Sequence, residues 1–353
     1  MPRLRIKVIS ARRKTMSSDR FMNAWKLRIS MAGTLAIIFG LSTLVFTVVL
    51  TLAGIGLSLV TIGILVVAMN IGQWLLGPYL VGWIYKVREL KSDERPELHQ
   101  MVDGLSKRSG ISPPKLMLAQ IPLPNAFAYG SPLSGSRVAV TQGLLDNLDS
   151  GEVEAVVGHE LGHLKHRDVQ VMMVVSFLPA LFYYIGYSLM LSGMFGGGGG
   201  DKKSGGGNNA LIGIAFMAFS WVLTLFTLYL SRLREYYADR HSAKVVENGA
   251  EKLSTGLVTI VELSKNPTKK QQEQMKNSSS FKALCIANPN QAKNDAADLN
   301  SVGITNKEDL LRQKLAEKPT SIDKFTEVFS THPNIIKRLR ALEELRTSPQ
   351  TAA

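Results

Sequence analysis

Glu152-Val153-Glu154-Ala155-Val156-Val157-Gly158-His159-Glu160-Leu161-Gly162-His163-Leu164-Lys165-His166 carries the pattern H-E-x-x-H at 159–163. On a helix, residues four apart share a face and stand about 6 Å apart along the axis. His159 and His163 are therefore spaced to grip one zinc ion, with ring nitrogens about 2.0–2.1 Å from the metal. Glu160 sits one position round, placed to take a proton from metal-bound water and badly placed to be a ligand. Just upstream, Asp149 and Glu152 have capping-box spacing and Leu148 with Val153 that of a hydrophobic staple, predicting a helix start at about Ser150. His166 returns to nearly the same face. It would lie about 10.5 Å from His159 along the axis, too far to share an ion.

Outward from this helix the chain is apolar in long blocks. No charged side chain occurs between Arg28 and Lys86, between Asp168 and Asp201, or between Lys203 and Arg232. A bilayer core takes about 20 apolar helical residues per span. The first gap holds two spans, near 29–50 and 57–80, and the others one each, near 169–194 and 209–230. Trp74, Tyr79, Trp83 and Tyr85 fall where an aromatic belt belongs. The net charge is +13, and the first 28 residues hold nine Lys/Arg against one acid, Asp19. A basic tail before an apolar span marks the cytoplasmic side. The rival reading, a nucleic-acid-binding tail, has no nucleic-acid fold behind it. Cys285 is the sole cysteine, so no intramolecular disulfide is possible and a reducing compartment fits. The expected location is the cell (inner or plasma) membrane, multi-pass, with the H-E-x-x-H helix facing the cytoplasm.

The blocks between spans have a soluble character. Pro96 to Arg108 reads as a helix opened by proline and stopped by Gly110. Lys115–Gln120 and Arg137–Thr141 read as strands, with a Pro/Asn/Gly-punctuated piece at 122–130 between them. From Arg234 to about Leu263 the pattern is helical. Residues 264–320 are mostly a solvated insertion around an apolar island at 281–287, and a helix closes the chain through about Arg346.

A catalytic zinc takes three protein ligands and leaves one position open. His163 lies six residues before the third span and Glu235 five residues after the fourth. If both helices run straight out of the bilayer, their side chains stand about 7–9 Å below the same surface. Glu235 is thus the expected third ligand, and Asp239, on the same helix face, the expected acceptor for a ligating imidazole N–H. Taken alone, the two acids read as a solvated face paired with Arg232, Arg234 or Arg240. Beside an H-E-x-x-H helix at matching depth, the ligand reading prevails.

His159-Glu160-Leu161-Gly162-His163, followed after an apolar hairpin by Arg234-Glu235-Tyr236-Tyr237-Ala238-Asp239, resembles the HtpX-like membrane metalloproteases, relatives of the CAAX prenyl protease and the Oma-type zinc peptidases. Pro124-Asn125-Ala126-Phe127-Ala128 resembles that family's substrate-pairing edge segment. Val138–Leu145 and Ser330-Thr331-His332-Pro333 with Arg338 extend the likeness. The resemblance implies His159, His163 and Glu235 as ligands of one zinc, Glu160 as acid/base and Asp239 as support. It also implies His332 and Arg338 near the oxyanion, and Asn125, Ala126 and Phe127 in substrate binding.

The expected fold is mainly α: a polytopic membrane protein with a gluzincin-type α+β metalloprotease domain containing a small sheet. Its parts are a basic tail (1–28), a helix pair (29–85), a first protease part (86–168), a second pair with a Gly-rich external loop (169–231), and a second protease part (232–353). The expected activity is endoproteolysis of misfolded or damaged membrane proteins by Glu-assisted attack of zinc-bound water. The expected partners are the bilayer and unfolded protein substrates, with no nucleic acid. The alternatives are a CAAX-type prenyl protease, which has more spans around a chamber, and a non-enzymatic membrane scaffold or transporter. Against the last, the spans hold no charge that would mark an ion path.

Overall fold

A computed structural model describes residues 59–195, 206–265, 307–316 and 321–347. The expected basic tail, first span, most of the Gly-rich loop and the apolar island lie outside these residues. The chain divides into two compact units, Met1–Ile64 and Leu65–Ala353; the architecture below is that of the second.

The order of elements is α1 (Leu59–Ile84), β1 (Val87–Glu89), α2 (Pro96–Ser109), β2 (Lys115–Ala119), β3 (Ala126–Ser131), β4 (Gly135–Thr141), α3 (Gln142–Asn147), α4 (Ser150–Lys165), α5 (Asp168–Phe195), α6 (Gly206–Val245), α7 (Gly249–Lys265), α8 (Lys307–Ala316), α9 (Ser321–Val328) and α10 (Ile335–Thr347). The fold is mainly helical with one small sheet. Local chemistry sets several boundaries. Proline opens α2, and Gly110 closes it in the left-handed region at φ 69°. Asp149 and Glu152 make both bonds of the capping box, so α4 begins at Ser150 as its sequence predicts.

The sheet has the order β1-β2-β4-β3. β2 and β4 run parallel, from Lys115 opposite Arg137 to Ala119 opposite Thr141. β1 joins β2 and β3 joins β4 antiparallel. Two of these strands follow from local pattern. The punctuated piece at 122–130 instead contains β3, because β4 supplies a ladder partner for six residues that look like turn material alone. Side chains alternate across the sheet. Leu116, Leu118, Val138 and Val140 share the main core with Val153, Val156 and Val157 of α4 and Leu253 and Leu257 of α7. Met117, Phe127, Tyr129 and Ala139 form a second cluster with Tyr85. α8, inside the stretch read as a solvated insertion, packs Leu311 and Leu315 on the main core and sets Lys307 Nζ 2.7 Å from Glu152 Oε2.

Among the described residues, Asn209–Val245 within α6 is long and apolar enough to cross a membrane. At 1.5 Å per residue it is about 55 Å long, against about 30 Å of bilayer core. Its uncharged part, 209–231, suffices for the crossing, and the part from Arg232 onward projects beyond it. The expected second and third spans fall in α1 and α5, both helical where described. α5 and α6 pack along most of their length with a glycine contact at its tightest point. A Cβ on Gly213 would lie 2.4 Å from Met190 N and 2.5 Å from Gly186 O, and one on Gly186 2.6 Å from Gly213 O. Backbone cannot yield as a side chain does, so small residues here set the helix separation.

Gly213→Ala should therefore destabilise the protein by about 1–3 kcal/mol, read as a lower thermal midpoint in detergent. Gly82→Ala, whose Cβ would meet nothing within 4 Å, should not lower it.

Candidate metal centre

α4 places His159, Glu160 and His163; α6 places Glu235 and Asp239. The two helices meet through small residues. A Cβ on Gly162 would stand 3.0 Å from Ala238 Cα and 3.1 Å from His241 Cβ, and one on Gly158 3.0 Å from Val246 Cγ2 and 3.1 Å from Ser242 Oγ. Ser242 Oγ donates to Ala155 O at 2.6 Å, locking the register. Four-residue spacing puts Gly158 and Gly162 on one side of α4, with the histidines one step round. The glycines let the backbones approach, and the approach delivers Glu235 to the histidines.

The donors converge. The Nε2 atoms of His159 and His163 lie 3.2 Å apart. Glu235 Oε2 is 3.6 Å from His159 Nε2, and its Oε1 is 3.5 Å from His163 Nε2. Tetrahedral coordination at about 2.0–2.1 Å sets donor atoms about 3.3–3.4 Å apart, so the spacing fits a single ion. The charge has the right sign. Glu160, Asp168, Glu235 and Asp239 are all buried, with Arg234 beside Asp168 and Arg338 beside Asp239 and Glu235, and buried acids gathered in one place favour a cation. Glu235 Oε2 is buried and makes no well-formed hydrogen bond among the described residues, although His332 Nδ1 lies 3.2 Å and Arg338 Nη1 3.4 Å away. Among the described residues these three donors form the group able to hold a metal.

Each histidine is backed by a carboxylate. Asp239 Oδ1 is 2.9 Å from His159 Nδ1, a close contact without linear hydrogen-bond geometry. Asp168 Oδ2 is 2.6 Å from His163 Nδ1, and its other oxygen is 3.0 Å from Arg234 Nε. Such partners turn the rings so that Nε2 faces the metal. Burial depresses His163, but the Asp168 bond and the charges of Glu235 and Glu160 outweigh it and raise its pKa. Burial would raise Glu235, but the charges of His332, His163 and Arg338 hold it well below the usual carboxylate range, ionised as a ligand must be.

Glu160 is buried, and its Oε2 accepts the amide of Ala128 at 2.7 Å. β3, which among the described residues pairs with β4 alone, therefore meets Glu160 at its outer edge. The side chains of Asn125, Ala126 and Phe127 are buried, and the Asn125 backbone is already bonded to Thr141, its amide donating to Thr141 Oγ1 at 2.9 Å and its carbonyl accepting the Thr141 amide at 3.0 Å. Arg338 is 1% exposed and grips Asp239 with two bonds, Nε to Oδ2 at 2.8 Å and Nη2 to Oδ1 at 2.6 Å. Its guanidinium faces the acid behind His159. His166 is exposed at the end of α4, outside the donor group.

Sequence reasoning missed Asp168, which entered only as the bound of an uncharged stretch, as the partner of His163, and gave Arg234 as a partner for Glu235 or Asp239, whereas it lies beside Asp168. The available signal was an acid five residues past a ligand at the first turn of the next helix.

The chain matches the description "Peptidase family M48" over residues 92–346. It is 35% identical over 340 residues to a protein named protease HtpX homolog from Thermoplasma acidophilum, covering 93% of this chain and 100% of the relative. It is 37% identical over 331 residues to protease HtpX homolog 2 from Saccharolobus solfataricus, covering 91% and 97%. The crystal structure of S. mikatae Ste24p superposes with a TM-score of 0.53 at 18% identity, covering 91% of this chain and 67% of that one, and shares its fold.

Asp168→Asn should weaken metal binding about 10- to 100-fold, measured by competition with a chelating dye. Gly162→Leu should force α4 from α6 and lower the metal content of the purified protein, whereas Gly104→Ala, at an open position, should not.

Proposed function

Because the chain belongs to peptidase family M48, we propose that it is a zinc-dependent endopeptidase that cleaves misfolded or damaged membrane proteins at the cytoplasmic face of the bilayer. The observation that carries this reading is the meeting of three metal donors with a carboxylate at a strand edge. Two imidazoles and a carboxylate suit zinc. When bound, zinc supplies Lewis acidity for the scissile carbonyl and lowers the pKa of the attacking water towards about 7.

The rest falls to the chain's own residues. Glu160 takes the proton of the attacking water and returns it to the leaving amine. The outer edge of β3 aligns an extended substrate by main-chain pairing, which tolerates varied sequence. Asp239 and Asp168 hold the rings of His159 and His163, and Arg338 holds Asp239. His332, with Nδ1 3.2 Å from Glu235 Oε2, stands close enough to the metal donors to support the oxyanion. Sequence-tolerant pairing suits unfolded chains. A third ligand only three residues beyond Arg232, where the uncharged part of α6 ends, suits substrates held at the membrane.

Glu160→Gln should lower cleavage of an unfolded protein such as casein by about 10²- to 10⁴-fold while leaving metal content unchanged. Full activity in that variant would remove Glu160 from the mechanism. Cleavage of a farnesylated CAAX peptide with casein left intact would point to a prenyl protease instead.

A further inference from the structure

Two apolar tips of the catalytic unit are exposed beside its membrane helices. One is the turn between β3 and β4. Leu133 at its apex is 64% exposed, and Pro132 beside it is exposed too. Ser131 Oγ donates to Leu75 O of α1 at 3.2 Å, and the Arg137 guanidinium lies 5.8 Å from the Tyr79 ring. Leu75 precedes the first charge, Lys86, by eleven residues, about 16 Å along a helix. The turn touches α1 well inside its uncharged length.

The other tip is α9 and the residue after it. Phe325 and Val328 are 49% and 40% exposed. Phe329 packs its ring 6.1 Å from that of Trp221 on α6. Trp221 precedes Arg232, the first charge on its side, by eleven residues as well. The second tip thus reaches from Arg232 towards the uncharged part of α6 by the ring of Phe329.

Several polar backbone groups at both tips are bonded locally, as a hydrocarbon surrounding favours. In the turn, Ser134 Oγ accepts the Ser131 amide at 3.0 Å and Ser131 Oγ accepts the Ser134 amide at 3.2 Å. At the end of α9, Arg232 Nη1 donates to the carbonyls of Glu327, Val328 and Ser330 at 2.8, 3.1 and 2.8 Å. Leu133, Phe325 and Val328 face outward, beside an exposed Ser136 just past the turn, and continue the exposed apolar surface of the helices themselves, such as Leu76 on α1 and Phe226 on α6.

The geometry points to a catalytic unit sunk into the cytoplasmic leaflet, with the Leu133 turn and the Phe325 helix immersed among lipid acyl chains. This rests on the reading of α1 and α6 as membrane-crossing helices. It also gives β3 a direction. From the immersed turn the strand runs a few residues to Ala128, whose amide meets Glu160. An extended segment leaving the bilayer could pair along β3 to the base without first dissociating into water. The favoured substrate is thus a juxtamembrane stretch still held by lipid.

The test uses the full chain in phospholipid vesicles on a Cys285→Ser background. Single cysteines at Leu133→Cys, Phe325→Cys, Phe226→Cys and Asp103→Cys carry an environment-sensitive fluorophore, and lipids brominated along their chains act as quencher. Metal content verifies that each labelled protein is folded. Labels at 133 and 325 should lose fluorescence to the same extent as the label at 226, with the label at 103 unaffected. Loss at 226 without loss at 133 or at 325 overturns the immersion while leaving the membrane-crossing helices standing. No loss at 226 overturns the crossing of α6 itself.

Discussion

The close crossing of α4 and α6 is the constraint on which the rest of the site depends. H-E-x-x-H supplies two ligands within one helix, but the third comes from a helix some seventy residues on. Gly158 and Gly162 face Ser242 and Ala238 so closely that an added Cβ would stand 3.0–3.1 Å from its neighbours, tighter than ordinary contact, and Ser242 fixes the register by bonding Ala155 O. Larger residues would hold the helices apart and withdraw Glu235 by more than a metal–ligand bond tolerates. Packing of small residues and coordination of the metal are therefore one requirement.

Bringing these helices together concentrates negative charge in a place poor in water. The structure answers by pairing charges. Arg338 bonds Asp239 twice and Asp168 bonds His163, while Arg234 lies close to Asp168 and Asp239 close to His159. These links bind the metal helix to α5, α6 and α10. Removing one member would strand its partner as an unpaired buried charge, a larger loss than the pair's own net contribution. The same arrangement leaves Glu160 facing β3, so Glu160, the metal donors and the edge of β3 are fixed by adjoining elements.

Much of this was legible in the sequence where signals are local. The capping box at Asp149 and Glu152, the start of α2 at Pro96 and the ligand spacing in H-E-x-x-H depend on neighbours along the chain. Glu235 was legible for a less common reason: counting residues from the ends of two apolar blocks gave it the depth of His163. The rest depends on partners distant in sequence. β3 gains its strand character from β4, and Phe127 is buried because Tyr85, Met117 and Tyr129 surround it. α8 docks because the core offers a place for Leu311 and Leu315. Arg338 bonds Asp239 and brings Nη1 3.4 Å from Glu235 Oε2, a placement set by where α10 packs and by nothing in its own neighbourhood. Asp168 looked like a boundary charge because its two partners, His163 and Arg234, belong to different helices.

α4 and α6 jointly build one metal site from His159, His163 and Glu235. X-ray absorption at the metal edge, on wild-type protein and Glu235→Ala, reads that shell. Wild-type protein should show two imidazoles with oxygen at about 2.0–2.1 Å and no sulfur, and the variant should lose its metal. Equal metal content and an unchanged shell in Glu235→Ala would contradict Glu235 as the third ligand.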